Sequence, residues 1–109
     1  MNIQGVPFTQ TDWDALPREQ HAGETGTAWW RGVELGSLRL RMVEYSPGYC
    51  ADHWCSRGHV VLVLRGEIET SLRDGRVFIT RQGQSWQAAD SDGEHRTSTR
   101  DGATLFIVD

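Results

Sequence analysis

Lysine is missing from this chain: all eleven of its cationic side chains are arginine. Schiff-base catalysis, pyridoxal phosphate attachment and the phosphate-binding loop that closes on Gly-Lys are excluded with it. Neither Gly-x-Gly-x-x-Gly nor Gly-x-Ser-x-Gly occurs, so dinucleotide binding and nucleophile-elbow hydrolysis lose their usual signals. Surplus positive charge is missing too. Eleven cations stand against fifteen acids, for a net charge of −4. An acidic chain with scattered arginines carries no electrostatic footprint for nucleic acid. The longest apolar run, Val60 to Leu64, is far too short to span a bilayer, so no membrane partner is expected. The opening Met1-Asn2-Ile3-Gln4-Gly5 has neither the basic nor the apolar block of a signal peptide, and a cytoplasmic location is the expectation.

Sulfur is scarce. The two cysteines, Cys50 and Cys55, are five positions apart. On a shared strand that odd separation would send them to opposite faces, roughly 16 Å apart along the chain. A disulfide needs Cα atoms within about 7 Å. Both are read as free thiols.

What is present suits one folded domain. A chain of 109 residues leaves no room for two independent cores. By surface scaling it buries roughly two-thirds of its unfolded surface. Hydrophobic residues at 38% and charged residues at 24% place it among globular rather than disordered chains.

Residues 1–27 differ from the rest. They hold two of the three prolines, Pro7 and Pro17, and show little periodicity. Asp12 to Leu16 reads as a short helical turn before Pro17. The segment is expected to be an arm on the body, anchored by Phe8, Trp13 and Leu16. From Ala28 to Asp109 the signals are β. Ser37–Tyr45 alternates, with Leu38, Leu40 and Met42 on one face and Arg39 and Arg41 on the other. His59–Leu64 is an apolar, β-branched run, and Glu67–Leu72 alternates again. Asp74-Gly75 supplies a tight hairpin turn before Val77, Phe78 and Ile79. Gln84–Ala88 and Arg96–Thr99 are weaker strands, and Thr104–Val108 closes the set. Glycines recur at roughly 8- to 12-residue intervals, the punctuation of a sandwich or barrel.

Four histidines and two cysteines are the whole supply of nitrogen and sulfur donors for a metal. Asp52-His53-Trp54-Cys55-Ser56-Arg57-Gly58-His59 gathers three of the six. If that stretch is a strand, His53 and Cys55 project from one face. His59 opens the next apolar run and His95 follows the Asp90–Glu94 loop. The expected metal set is therefore His53, Cys55, His59 and His95, three imidazoles and one thiolate. Imidazole suits Zn, Cu, Fe and Ni, and a thiolate disfavours Mg and Ca. Taken singly, each of these side chains is more often structural. His21, in the arm, and Cys50 are read as structural.

These residues resemble the two motifs of the cupin superfamily, small antiparallel jelly-roll barrels of the RmlC-like type. The first motif runs Gly, five residues, His-x-His, three or four residues, Glu, six residues, Gly. Here it reads Gly48, four residues, His53-Trp54-Cys55, three residues, His59, six residues, Gly66. The second runs Gly, five residues, Pro-x-Gly, two residues, His, three residues, Asn. Gly83 starts it here, His95 falls at the ligand position with one extra residue, and Thr99 replaces Asn. Ala89 and Ser91 stand near the Pro and Gly positions. Asp52-His53-Trp54-Cys55 also resembles an uncharacterised cupin group with a DHCW-type motif.

The resemblance implies an all-β cupin barrel over residues 28–109 and metal positions at His53, Cys55, His59 and His95. The second His of the first motif is Cys55 and its Glu is His59. With Cys55 bound, a closed tetrahedral site of zinc type is plausible. With Cys55 unbound, His53, His59 and His95 form a three-imidazole face of the kind found in iron(II) thiol dioxygenases. The expected cofactor is one divalent transition metal: Zn, Fe or Ni. Three functions follow: a metal-binding cupin of unspecified activity, an Fe(II)- or Ni-dependent oxygenase or isomerase acting on a small molecule, and a non-catalytic small-ligand sensor. Trp86 and Phe106 are candidates for the barrel mouth, Val61 and Val63 for its dry wall. Arg57 and Arg96 could hold an anionic ligand, and Glu94 could orient a ligand residue. Trp29-Trp30 puts one indole on each face of a strand, and small cupins pair through their outer sheet, so a homodimer is expected.

Overall fold

A computed structural model describes residues 2–109. Eight antiparallel strands follow a single turn of 3₁₀ helix at Trp13–Ala15: β1 (Glu19–Ala22), β2 (Thr27–Leu35), β3 (Leu38–Tyr45), β4 (His59–Leu72), β5 (Val77–Arg81), β6 (Ser85–Ala88), β7 (His95–Ser98) and β8 (Ala103–Val108). Hydrogen-bonded neighbours run β1-β2-β3-β8-β4-β5, with β6 and β7 also paired to β4. No helix of the described residues is long and apolar enough to cross a membrane.

The two separate runs expected at His59–Leu64 and Glu67–Leu72 form one strand of fourteen residues. β4 serves two sheets. Its first half lies between β8 and β6, with Val61 opposite both Ile107 and Trp86. Its second half lies between β5 and β7, with Thr70 opposite Phe78 and Thr97. The change of sheet falls at a register shift between Val63 and Arg65, next to Gly66 at φ +82°. A strand that switches sheets at a bulge makes a barrel corner. Gly66 is required there: a Cβ on it would stand 2.3 Å from the Gly102 carbonyl oxygen.

The core is Val43, Val61, Val63, Ile68, Leu105 and Ile107, with Ala28 and Ala103 where strands approach closely. On β4 the period-two pattern sends His59, Val61 and Val63 inward. On β8 the same pattern sends Ala103, Leu105 and Ile107 inward. β3 keeps the expected alternation, but its more buried face carries Arg41 and Val43, not Leu40 and Met42. The outer face is half covered because the arm lies on it. Phe106, the register partner of Met42, meets the Trp13 ring edge-on at 5.9 Å. Phe106 therefore faces outward and does not line the barrel.

In the arm, Asp12 caps the expected helical turn by accepting from the Asp14 N–H. Trp13 and Leu16 are half-buried, and the Leu16 carbonyl accepts from Arg31 Nε at 3.2 Å. Phe8 is fully exposed and anchors nothing. Glu19–Ala22, within the same 27 residues, pairs with β2 and extends the sheet. At the β4–β5 hairpin Gly75 takes φ +100°, while Asp74 does not enter the positive-φ region.

Candidate metal centre

His59 is the first residue of β4, and its inward direction follows from the strand's alternation. His95 is the first residue of β7, opposite Leu72 at the far end of the same strand. Cys55 belongs to no strand. The stretch 51–58, expected to be extended, is irregular apart from one bridge. That bridge joins Cys55 to His95. The Cys55 N–H donates to the His95 carbonyl at 2.8 Å and the His95 N–H returns the bond at 2.9 Å. Cys55 Sγ then stands 3.4 Å from His59 Nε2. One donor atom from each of Cys55, His59 and His95 falls within 4.8 Å of the others.

His53 is held apart from this group. Its side chain is 72% exposed, and its Nδ1 lies 2.7 Å from Asp52 Oδ1. It lines the same cavity but stands outside the three-residue cluster. In an irregular loop the rule that i and i+2 share a face has no force. Both cysteines are free thiols, and Cys50 Sγ turns to the Ala51 carbonyl.

Behind His59 stands Asp109, a residue absent from the expected set. Its carboxylate is almost wholly buried, with Oδ2 3.1 Å from His59 Nδ1. The contact is close but poorly aligned, so Nδ1 has no well-formed hydrogen bond. The carboxylate favours the tautomer that carries the proton on Nδ1, which leaves Nε2, the nitrogen nearest Cys55 Sγ, available as a ligand atom. Arg39 donates to Asp109 through Nε and Nη2 at 2.9 and 2.7 Å, and Arg41 Nη2 approaches at 3.4 Å. Strand parity was the available signal. Asp109 follows Ala103, Leu105 and Ile107 on the inward face of β8, and it exchanges backbone hydrogen bonds with Arg39.

Burial makes the imidazoles neutral. It pushes the His59 pKa down to about 4, against the opposing pull of Asp109. His95 is lowered by the same cause, partly offset by its bond to the Gly93 carbonyl. Burial works to raise the Asp109 pKa, but the Arg39 hydrogen bond and the nearby charges of Arg41 and His59 outweigh it and hold it below the usual carboxylate range. Neutral imidazole is the form that binds a metal.

The cluster faces a cavity of about 310 Å³ walled by Trp30, Tyr45, Tyr49 and Trp86. Trp86 arrives through its register with Val61 and packs edge-on at 4.8 Å from the His95 ring. A wider, open cleft of about 870 Å³ shares Arg39, Arg57 and His59 with this cavity.

Several other side chains have structural occupations. Trp54 lies under Arg73 at 4.9 Å, and Glu94 pairs with Arg73 at 3.3 Å instead of orienting His95. Arg96 is tied to the Ala51 carbonyl at 2.7 Å and to Glu24. Arg57 stands 3.8 Å from Asp109 at the surface. His21 stacks on Trp30 at 3.8 Å, while Trp29 lies on the other face of β2 under Arg18.

The donor set fits a transition metal. A tetrahedral ion with ordinary metal–sulfur and metal–nitrogen bonds spans about 3.6 Å from sulfur to nitrogen. The Cys55–His59 separation of 3.4 Å is close to that value. Two imidazoles and a thiolate suit borderline and soft ions.

The chain matches no protein-family model and no curated protein sequence. Its solved structural neighbours include several cupins. An RmlC-like cupin from Shewanella frigidimarina superposes with a TM-score of 0.73 at 16% identity, covering 96% of this chain and 92% of that one. A predicted oxalate decarboxylase from Thermotoga maritima gives 0.74 at 12% identity, over 92% and 96% of the two chains. A cupin-like protein from the same organism gives 0.69 at 19% identity, over 87% and 78%. The fold is the cupin jelly roll, and it carries a Cys-His-His cluster able to bind a metal. One local detail agrees with the second motif. Ser91, near its Gly position, takes φ +60°, the only non-glycine residue with positive φ among those described.

Proposed function

We propose that this cupin barrel holds one divalent transition-metal ion through Cys55, His59 and His95, with a remaining coordination position open to the cavity. The observation that carries the reading is the convergence of those three donor atoms within 4.8 Å, backed by Asp109 on the far nitrogen of His59. Three protein ligands with one open position is the arrangement of reactive rather than purely structural metal sites. A bound ion there supplies Lewis acidity to whatever small molecule reaches it. The protein's own residues do the rest. Asp109 keeps the proton on His59 Nδ1, the Cys55–His95 backbone pair fixes the distance between two ligands, and Trp86 and Val61 keep that wall dry. The thiolate favours zinc over iron or nickel within the expected set. A three-imidazole site of His53, His59 and His95 takes second place, because His53 has to turn in from solvent and leave Asp52.

Metal analysis of the purified protein, followed by titration of the stripped protein with zinc and cobalt(II), tests the reading. One equivalent of ion is expected, and the cobalt form should show a near-ultraviolet thiolate charge-transfer band. A protein that takes up no stoichiometric metal after reconstitution overturns it. One equivalent of cobalt without the thiolate band returns the site to three imidazoles.

A further inference from the structure

The cavity is more positive than the chain around it. Although the net charge of the protein is −4, the residues lining the cavity include Arg39, Arg41, Arg57 and Arg96 and, among the described residues, no aspartate or glutamate. The nearest carboxylate, Asp109, is already claimed by Arg39 through two hydrogen bonds. Arg96 is committed to the Ala51 carbonyl and Glu24, and Arg57 is largely exposed. Arg41 is different. Its Nη2 reaches Asp109 at 3.4 Å, but its side chain is 8% exposed and its Nε–H is buried with no partner. Its guanidinium lies over the Trp30 ring, 4.5 Å from the centroid, within cation–π range. Trp86, another residue lining this cavity, has its Nε1–H likewise buried and unpartnered.

A buried N–H donor left unpaired costs about 1–3 kcal/mol, more when it is charged. Both donors belong to residues that line one aromatic cavity, and each lacks an acceptor. We infer that the cavity takes a small organic carboxylate, held by Arg41 and the Trp86 indole N–H beside the Cys55–His59–His95 cluster. The inference names the ligand class of the proposed metal site and rests on that reading only for the ligand's second contact, with the ion. A carboxylate is favoured over a phosphate by the donor count. Two unclaimed N–H groups match two carboxylate oxygens, whereas a phosphate dianion presents more oxygens and more charge than they can satisfy. The cavity volume lies at the lower end of the range for small-molecule sites, and the aromatic walls suit an apolar body behind the acid group.

Calorimetric titration of the chelator-stripped and the zinc-loaded protein with benzoate, succinate and oxalate, set against benzamide and inorganic phosphate, is the test. At least one carboxylate is expected to bind one-to-one, at least about tenfold more tightly than the near-isosteric amide and more tightly than phosphate. R41K keeps the charge but removes the unpartnered Nε fork, and W86F keeps the ring but removes the indole N–H. Each should weaken the carboxylate at least several-fold and leave benzamide unchanged, with the fold checked by circular dichroism. Carboxylate binding to the stripped protein that falls in R41K sustains the inference even if no metal is ever taken up. Stoichiometric zinc with benzoate and benzamide indistinguishable, with phosphate the tighter ligand, or with R41K and W86F both binding as the parent does, overturns it and leaves the metal site standing.

Discussion

Cys55 and His95, forty residues apart in sequence, exchange both of their backbone hydrogen bonds, at 2.8 and 2.9 Å. The pair is a fragment of antiparallel ladder one residue long, and it holds two side chains on the same side of the barrel wall. A metal site built this way has its geometry set by main-chain atoms, which a side-chain substitution leaves in place. Cys55→Ala is therefore expected to keep the fold and lose the ion. His53→Ala, which removes a ring that already faces solvent, is expected to retain metal affinity within a few-fold of the parent. Competition of each variant for zinc against a chromophoric chelator measures both. Equal loss in the two variants would return His53 to the ligand set.

Asp109 makes a second, separable contribution. Its carboxylate orients His59 and neutralises part of the charge of Arg39 and Arg41. Groups that orient a metal-binding histidine are worth 10- to 100-fold in affinity. Asp109→Asn should lower zinc affinity by about that factor. It also leaves two guanidiniums beside a neutral amide, at a cost to folding of about 3 kcal/mol. Metal affinity and urea unfolding of the stripped variant report the two effects independently. An affinity unchanged within about twofold would show that Asp109 serves only the arginines.

The local signals that succeeded in the sequence were those with a single physical cause. Alternation at Leu38–Tyr45, β-branched residues at His59–Leu64 and the Asp74-Gly75 turn each correspond to observed strands or to the hairpin between them. The failures share a different origin. Parity says that Arg39 and Arg41 share a face but not which face is inside. That is decided by the arm, where Trp13 covers Phe106 and leaves Leu40 and Met42 half-shielded on the outer side. A strand through residues 53–55 would set Cys55 beside His53, but the chain makes no strand there. What brings Cys55 inward is the long-range bridge to His95, and no spacing within residues 48–66 encodes that. Asp109 was legible in principle, since β8 parity points it at His59, but an acidic residue following an apolar strand also reads as a solvated end.

Gly66 marks the corner where β4 leaves one sheet for the other. Its positive φ and the 2.3 Å approach of the Gly102 oxygen to an added Cβ make Gly66→Ala doubly unfavourable. The expected loss is about 3 kcal/mol, or more than about 10 °C in Tm for a domain of this size. Gly75 has a positive φ too, but nothing lies within 4 Å of its Cβ position. Gly75→Ala should cost only about 1–2 kcal/mol, from the backbone conformation alone. Thermal unfolding of the two variants side by side separates the steric part from the conformational part. Equal losses would mean that the corner relaxes at no expense.

Acid should unfold the metal-free protein earlier than carboxylate protonation alone would require. The folded state holds His59 neutral, with its pKa pushed from 6.5 to about 4, while the unfolded chain titrates at the ordinary value. Between those limits the unfolded state binds a proton that the folded state refuses, so stability falls as the pH drops through that window. His95, lowered by burial as well, adds to the slope in the same direction. Asp109 acts later. Its pKa is depressed in the fold, so its contribution is complete above the ordinary 3.8 and is lost only at lower pH. Beside burial, His95, Arg41 and Arg39 also work against the charged form of His59, and only Asp109 favours it. Urea unfolding of the stripped protein between about pH 7.5 and 4.5 should show a loss on the order of 2 kcal/mol, centred between pH 4 and 6.5. Zinc-loaded protein should fall more steeply, because protons then compete with the ion for the same nitrogens. His59→Gln should flatten the metal-free curve. A stability that stays level down to pH 4.5 in the parent would mean that the ring is already solvated and charged in the fold, and that the dry wall of Val61 and Trp86 does not exclude water from it.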